Sequence, residues 1–309
     1  MLSPLWSIVL AGGEGRRLAS VTGGIPKQFW SPSGGPTLLE ETIARFKPLT
    51  SAATTVTIIG QSQQRHLDRL GSRGTFGRVI LQPMDQGTAI GVLLGLSTMA
   101  PTPEAVLVLT PSDHAVEDAP RFRRDIRHAV HEVRHGRADV VLFAARPELP
   151  AGDLGWIVPS SDTTAPTSRL LSVGAFVEKP QPQDAWRLFD TGAACNTMVL
   201  VARVGALLDL YREHLPALAQ VFDRASAIRF ANDRATFLAH AYPTLRRADF
   251  SRDLLTLATG LHVHIWPSSI GWTDLGTPER LEEWLTKKRR REYRAPAPVN
   301  LAGRMALAG

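Results

Sequence analysis

The chain has 309 residues and a single cysteine, Cys195, so no disulfide framework can form within it and a reducing compartment fits. Long apolar runs are also missing. The first such run, Trp6 to Ala11, breaks at Gly12 and has no basic region before it, which makes it neither a signal peptide nor a membrane span. A cytoplasmic protein with no membrane partner is therefore expected. No internal repeat is visible. The net charge of +6 and pI near 10.0 point towards nucleic acid, but no aromatic residues interleave with the cations as base stacking would need. Most of the excess also sits in one place, where Lys287, Lys288, Arg289, Arg290, Arg291 and Arg294 are offset only by Glu292. That segment reads as a solvated helix end, where cations suit the helix dipole; an anionic partner is the alternative.

An ordinary balance of apolar (44%) and charged (21%) residues supports a globular enzyme with a large core. Through the first half, short β-branched or apolar runs (54–59, 79–82, 105–110 and 139–145) alternate with helical patterns. Thr37-Leu38-Leu39-Glu40 has the form of a capping box. The segment 88–99 is apolar on most sides and should be a buried helix. Phe122, Ile126, Ala129 and Val133 mark one face of another. Such alternation predicts an α/β fold with a mostly parallel sheet and helices on both faces, binding ligands at the carboxyl ends of its strands. In the second half, 155–159 and 170–178 suggest a hairpin around the polar loop 160–168. A strand at 194–202, several short helices over 207–238, a late strand at 261–266 and a terminal helix at 277–291 follow. We expect one continuous α/β unit over 1–294, made of a first half (about 1–150) and an inserted substrate-facing half (about 151–294), with 295–309 a loosely ordered tail.

The most informative stretch is Leu10-Ala11-Gly12-Gly13-Glu14-Gly15-Arg16-Arg17-Leu18, followed by Pro26-Lys27-Gln28-Phe29. A strand that empties into three glycines lets backbone amides approach phosphate oxygens, because a Cβ would block the approach or forbid the required φ. Arg16, Arg17 and Lys27 are clustered cations whose burial without a partner would be costly. A triphosphate is the expected guest; a tight turn is the plain alternative. The spacing matches neither the dinucleotide fingerprint nor a P-loop.

Further candidates stand at other predicted strand ends. Asp113, in Thr110-Pro111-Ser112-Asp113-His114, is placed to bind Mg²⁺, whose hard oxygen ligands phosphates usually complete; it is equally suited to cap a helix or a turn. Asp274, in Gly271-Trp272-Thr273-Asp274-Leu275-Gly276, offers the same pair of readings. Both aspartates could hold one metal. Glu178-Lys179-Pro180 could bind hydroxyls and a second phosphate, or form a surface ion pair of little worth. Asn196 is a polar residue in an apolar strand and needs partners. His114 reads as a residue that orients its loop, and Trp156 and Trp272 as packing residues.

In order along the chain, LAGGEGRRL, PKQF, PSDH, GWI, VGAFVEKP, CNT and GWTDLG resemble the motif series of the sugar-phosphate nucleotidyltransferases, most closely the mannose-1-phosphate guanylyltransferases, over about 8–284. The resemblance implies a Rossmann-like (GT-A-like) fold and an enzyme that joins a nucleoside triphosphate, GTP first, to a hexose 1-phosphate, mannose 1-phosphate first, releasing pyrophosphate. Gly12, Gly13, Gly15 and Arg17 would cradle the triphosphate beside Arg16, with Lys27 on the pyrophosphate side. Gln82, Gly87 and Thr88 lie where the family reads the base. Asp113 and Asp274 would hold Mg²⁺, acting in catalysis with Arg17 and Lys27. Gly155, Glu178 and Asn196 would contact the sugar, and Lys179 its phosphate. Arg16 replaces the usual threonine. Gln82-Pro83 stands where guanylyltransferases usually have Glu-Pro, which favours thymidylyl or uridylyl transfer to glucose 1-phosphate as the alternative. A regulatory subunit that senses nucleotide-sugars without turnover is another. No isomerase domain or left-handed helix repeat is expected, and a homo-oligomer is compatible with this reading.

Overall fold

A computed structural model of the chain describes residues 4–71, 73–99, 102–160 and 169–294; the tail 295–309 and most of the loop 160–168 lie outside the described residues. Nine strands form one sheet among them: β1 (Leu5–Ala11), β2 (Thr55–Gly60), β3 (Arg78–Gln82), β4 (Val106–Pro111), β5 (Val140–Ala145), β6 (Gly155–Pro159), β7 (Leu171–Glu178), β8 (Ala194–Arg203) and β9 (His262–Trp266). Their order is β3-β2-β1-β4-β8-β5-β9-β7-β6, with β6 also touching β8. The pairs β3–β2, β2–β1, β1–β4 and β5–β9 are parallel, whereas β8 runs against β4, β5 and β6, and β7 against β6 and β9. All strands except β7 and β8 therefore point the same way, but because β8 and β7 are interleaved among them the sheet is mixed, with four parallel and five antiparallel pairings. The expected hairpin is β6–β7. Strand β8 belongs to the second half of the chain, yet it lies between β4 and β5 of the first.

Alternation across the pleat builds two cores. Leu107, Leu109, Val140, Leu142, Leu200 and Ala202 face one layer, which contains the helices Thr88–Met99, Val204–His214 and Pro216–Ala227. Val106, Val108, Val141, Phe143, Val199 and Val201 face the other, beneath helix Ala119–Arg134. As its composition predicts, Thr88–Met99 is buried between the sheet and Pro216–Ala227, and a Cβ on its Gly95 would lie 3.1 Å from Ile8. The capping box forms: the Thr37 hydroxyl accepts from Glu40 N, and the Glu40 carboxylate accepts from Thr37 N at 2.8 Å. No described helix is long and apolar enough to cross a membrane.

Candidate functional site

The glycine loop leaves β1 at the carboxyl edge of the sheet. Gly15 has φ +63°, and a Cβ there would lie 3.0 Å from both the Cβ and the backbone nitrogen of Lys27. Two constraints thus require glycine, and together they press Lys27 against the loop. Burial differs from expectation for the two arginines. Arg16 and Arg17 are exposed, meeting Glu14 and Asp153 respectively, and only Lys27 is buried. Both guanidinium groups face solvent, where hydration spares them the cost of burying charge.

Lys27 draws the two acidic segments together. Its Nζ lies 3.1 Å from Asp113 Oδ2 and donates to the main-chain carbonyl of Asp274. The segments are themselves zipped by a two-residue bridge, in which Ala115 N donates to Thr273 O at 2.9 Å and Thr273 N to Ala115 O at 3.1 Å. Burial works against ionisation of Asp113, but Lys27 and His114 outweigh it and hold the carboxyl below its usual range. His114 is held below its ordinary value chiefly by burial, with Lys27 and Arg45 adding to this against Asp113 and Asp274. Its carbonyl accepts from the buried Arg45, and its ring meets Trp272 edge-on at 5.5 Å. Asp113 caps no helix, since Asp118 caps Ala119–Arg134 by accepting from Arg121 N.

Asp274 is buried and serves a turn as well. Its Oδ1 accepts from Gly276 N at 3.1 Å and lies 2.8 Å from Arg280 Nη1. Arg280 reaches on to Asp153, which also pairs with Arg17 at 2.9 Å. A chain of charges therefore runs from the glycine loop to the metal candidate. Asp153 and Arg280 were not among the expected residues; each looks like an ordinary surface charge until the fold brings Arg17 to them. A cavity of about 740 Å³ opens beside this chain, lined by Asp153, Cys195, Trp272, Asp274, Arg280 and Trp284 among others.

The segment from Gln82 to Thr88 is strapped to a distant loop. Gly87 has φ +97°, and a Cβ on it would fall 2.2 Å from the Ala248 carbonyl oxygen. Ala89 N donates to that carbonyl, and Ala248 N to Gln86 O. Thr88 Oγ1 donates to Asp249 Oδ2 at 3.1 Å and accepts from Phe250 N at 2.8 Å. Gln82 ends β3 buried, with the Tyr242 hydroxyl beside its side-chain amide. Asp249 also went unnoticed in the sequence. Besides binding Thr88, its other oxygen caps the π-helical turn Ser251–Leu255.

On the other side of the site, Gly155 stands opposite Glu178 and Trp156 opposite Cys195, which places Gly155, Glu178 and Asn196 near one another. A Cβ on Gly155 would come within 2.7 Å of Glu178 Oε2. Burial, and then Asp249, raise the Glu178 carboxyl above its usual value despite Lys179, whose Nζ is 3.4 Å away. Asn196 Oδ1 accepts from Met198 N. Lys179, Met198 and Leu275 are the non-glycine residues with positive φ among those described, and each lies within or beside one of the motifs singled out in the sequence. Backbone strain of this kind gathers at ligand sites. Trp156 is fully buried, as a packing residue should be.

A family model described as nucleotidyl transferase matches residues 6–290. The chain belongs to the nucleotidyl transferase family. Among curated relatives of this family, the mannose-1-phosphate guanylyltransferase of Escherichia coli (strain K12) is 26% identical over 299 residues, covering 91% of this chain and 60% of that protein. The alginate biosynthesis protein AlgA of Pseudomonas aeruginosa is 26% identical and covers 87% and 56% respectively. The chain thus spans well under two thirds of the length of these relatives. A solved structure described as mannose-1-phosphate geranyltransferase from Thermus thermophilus superposes with a TM-score of 0.79 at 25% identity, covering 92% of this chain and 80% of its own. The inositol-1-phosphate CTP transferase of T. maritima shares the fold, with a TM-score of 0.56 at 15% identity, covering 91% of this chain and 94% of its own.

Proposed function

We propose that this chain is a sugar-1-phosphate nucleotidyltransferase that joins GTP to mannose 1-phosphate, giving a nucleotide-sugar and pyrophosphate. The observation that carries this reading is the position of Lys27, a buried cation that touches the glycine loop, the Asp113 carboxylate and the Asp274 carbonyl at once. Relatives named for guanylyl transfer to mannose 1-phosphate support the choice of substrates. A phosphate oxygen of the sugar attacks the α-phosphorus in line, the bond to the bridging oxygen breaks, and pyrophosphate leaves with the electron pair. No protein nucleophile or proton transfer is needed. The chain contributes positioning and charge neutralisation. Lys27 and the arginines face the departing phosphates; Gly155, Glu178 and Asn196 hold the sugar, and Lys179 its phosphate.

The donor chemistry fits Mg²⁺. Lys27 takes Asp113 Oδ2, and Gly276 and Arg280 take Asp274 Oδ1, so Asp113 Oδ1, 3.7 Å from the His114 ring, and Asp274 Oδ2 are the oxygens that would meet a hard cation whose shell phosphates and water can fill. Bound there, the ion would neutralise charge on the phosphates.

A second reading rests on Gln82. A glutamine amide offers one donor and one acceptor, which match the keto oxygen and N3–H of thymine or uracil, whereas guanine presents two adjacent donors, N1–H and its exocyclic amine. Product formation in a matrix of five nucleoside triphosphates against several sugar 1-phosphates tests both. GTP with mannose 1-phosphate should lead; preference for dTTP or UTP would favour the second reading, and no turnover with any pair would refute the enzyme.

A further inference from the structure

Two buried glutamines grip the glycine loop from behind. Gln28 Nε2 shares its two N–H groups among three acceptors, the carbonyls of Ala11 (2.7 Å) and Gly13 (2.9 Å) and Gln63 Oε1 (2.9 Å). Gln63 Nε2 in turn donates to the carbonyls of Gly12 (3.2 Å) and Gly13 (2.9 Å). Both side chains are almost fully buried. Gln28 belongs to the Pro26–Phe29 motif, but Gln63 lies in a short turn after β2, outside every motif of the sequence.

A trans peptide is planar, so each carbonyl and the N–H that follows it point in opposite directions. Pulling the Gly12 and Gly13 carbonyls inward therefore turns the N–H groups of Gly13 and Glu14 outward, and both residues are exposed. Glycine peptides have wide conformational freedom, and a Cβ on Gly13 would meet no atom within 4 Å, so the inward donors are what select this orientation. Successive N–H groups that face one way make an anion-binding concavity.

We propose that Gln63 is a positioning residue for the triphosphate: together with Gln28 it fixes two consecutive peptide planes so that their N–H groups are already aimed at phosphate oxygens. The inference rests on the proposed function, because it takes a polyphosphate as the guest of this loop. Gln63 acts only through the loop backbone and touches no substrate.

The test is calorimetric binding of inorganic tripolyphosphate to wild type, Gln63→Met and Gln63→Glu, with thermal unfolding of each and steady-state kinetics alongside. Methionine keeps length and bulk but donates nothing. Glutamate keeps the acceptor for Gln28 and sets a second oxygen against the glycine carbonyls, so it serves if the methionine variant does not fold. Tripolyphosphate should bind about tenfold more weakly to Gln63→Met and weaker still to Gln63→Glu, since hydrogen bonds to charged acceptors depend on prepositioned donors. The KM for nucleotide should rise in step, while the KM for sugar 1-phosphate stays within about twofold. A merely structural residue would lower the unfolding temperature and the active fraction without separating the two KM values. Unchanged tripolyphosphate affinity in either folded variant would overturn the role of Gln63 and leave the enzyme assignment standing. No binding to wild type with turnover retained would overturn the role of Gln63 alone; no binding and no turnover would overturn both.

Discussion

Gly87→Ala isolates the strap that holds Gln86, Gly87 and Thr88 against Ala248 and Asp249. At φ +97° a side chain is strained wherever it points, at a cost of about 1–3 kcal/mol. The new methyl would also sit 2.2 Å from the Ala248 carbonyl oxygen, a main-chain atom that also accepts from Ala89 N and cannot rotate away. Forcing such a contact apart adds about 1–3 kcal/mol. Together they predict a loss of about 2–6 kcal/mol, a large share of the roughly 5–15 kcal/mol that domains possess. The loss should appear as a lower urea midpoint at unchanged slope. Gly13→Ala is the matched control. With no atom within 4 Å and no positive φ, its stability should stay within about 0.5 kcal/mol of wild type. Where Gly87→Ala still folds, the KM for nucleotide should rise more than that for sugar 1-phosphate, because Gln86, Gly87 and Thr88 part from Ala248 and Asp249. A loss below about 1 kcal/mol, or equal losses in both variants, would refute the steric reasoning.

Other expectations concern the charged centre. Asp113→Asn and Asp274→Asn should each lower kcat by about 10²–10³-fold with the fold retained, read by product release and circular dichroism; near wild-type rates in either would remove that carboxylate from the site. Lys179→Met should raise the KM for sugar 1-phosphate by about tenfold while leaving the KM for nucleotide alone, and equal effects on both would contradict its placement. Far from the site, the Arg137 guanidinium bonded to Glu132 pushes that carboxyl down to about 2 from 4.5. A depressed carboxyl stabilises the fold above its unfolded value and ceases to do so as pH falls through the folded one. Between about pH 4.5 and 2, Glu132→Gln should therefore flatten the acid dependence of unfolding; an unchanged acid limb would dismiss the pair.

What could be read from the chain was local. β2 and the β6–β7 hairpin announced themselves by β-branched and apolar runs, and the helix after Thr37 by its capping box. The order of motifs likewise carried the family. The contacts that make a site of them were not legible, because they span long separations. Nothing near Lys27 says that it will meet Asp113 and the Asp274 carbonyl, and nothing near Thr88 points to Asp249. Gln63 resembles any polar turn residue. Its meaning depends on β1 and β2 lying side by side, which sets its amide against the glycine carbonyls. Charge alone misled in the case of Arg16 and Arg17, since exposure depends on where the loop faces.

The interleaving of β8 between β4 and β5 governs how the gene for this protein can be cut. A fragment ending at residue 150 would keep β5 with neither of its neighbours, β8 and β9, and would leave the long edge of β4 bare. Open edges of this sort recruit other chains. Such a piece should emerge as insoluble material instead of an autonomous nucleotide module, and reporters or affinity tags are better grafted at the surface turns than at the midpoint.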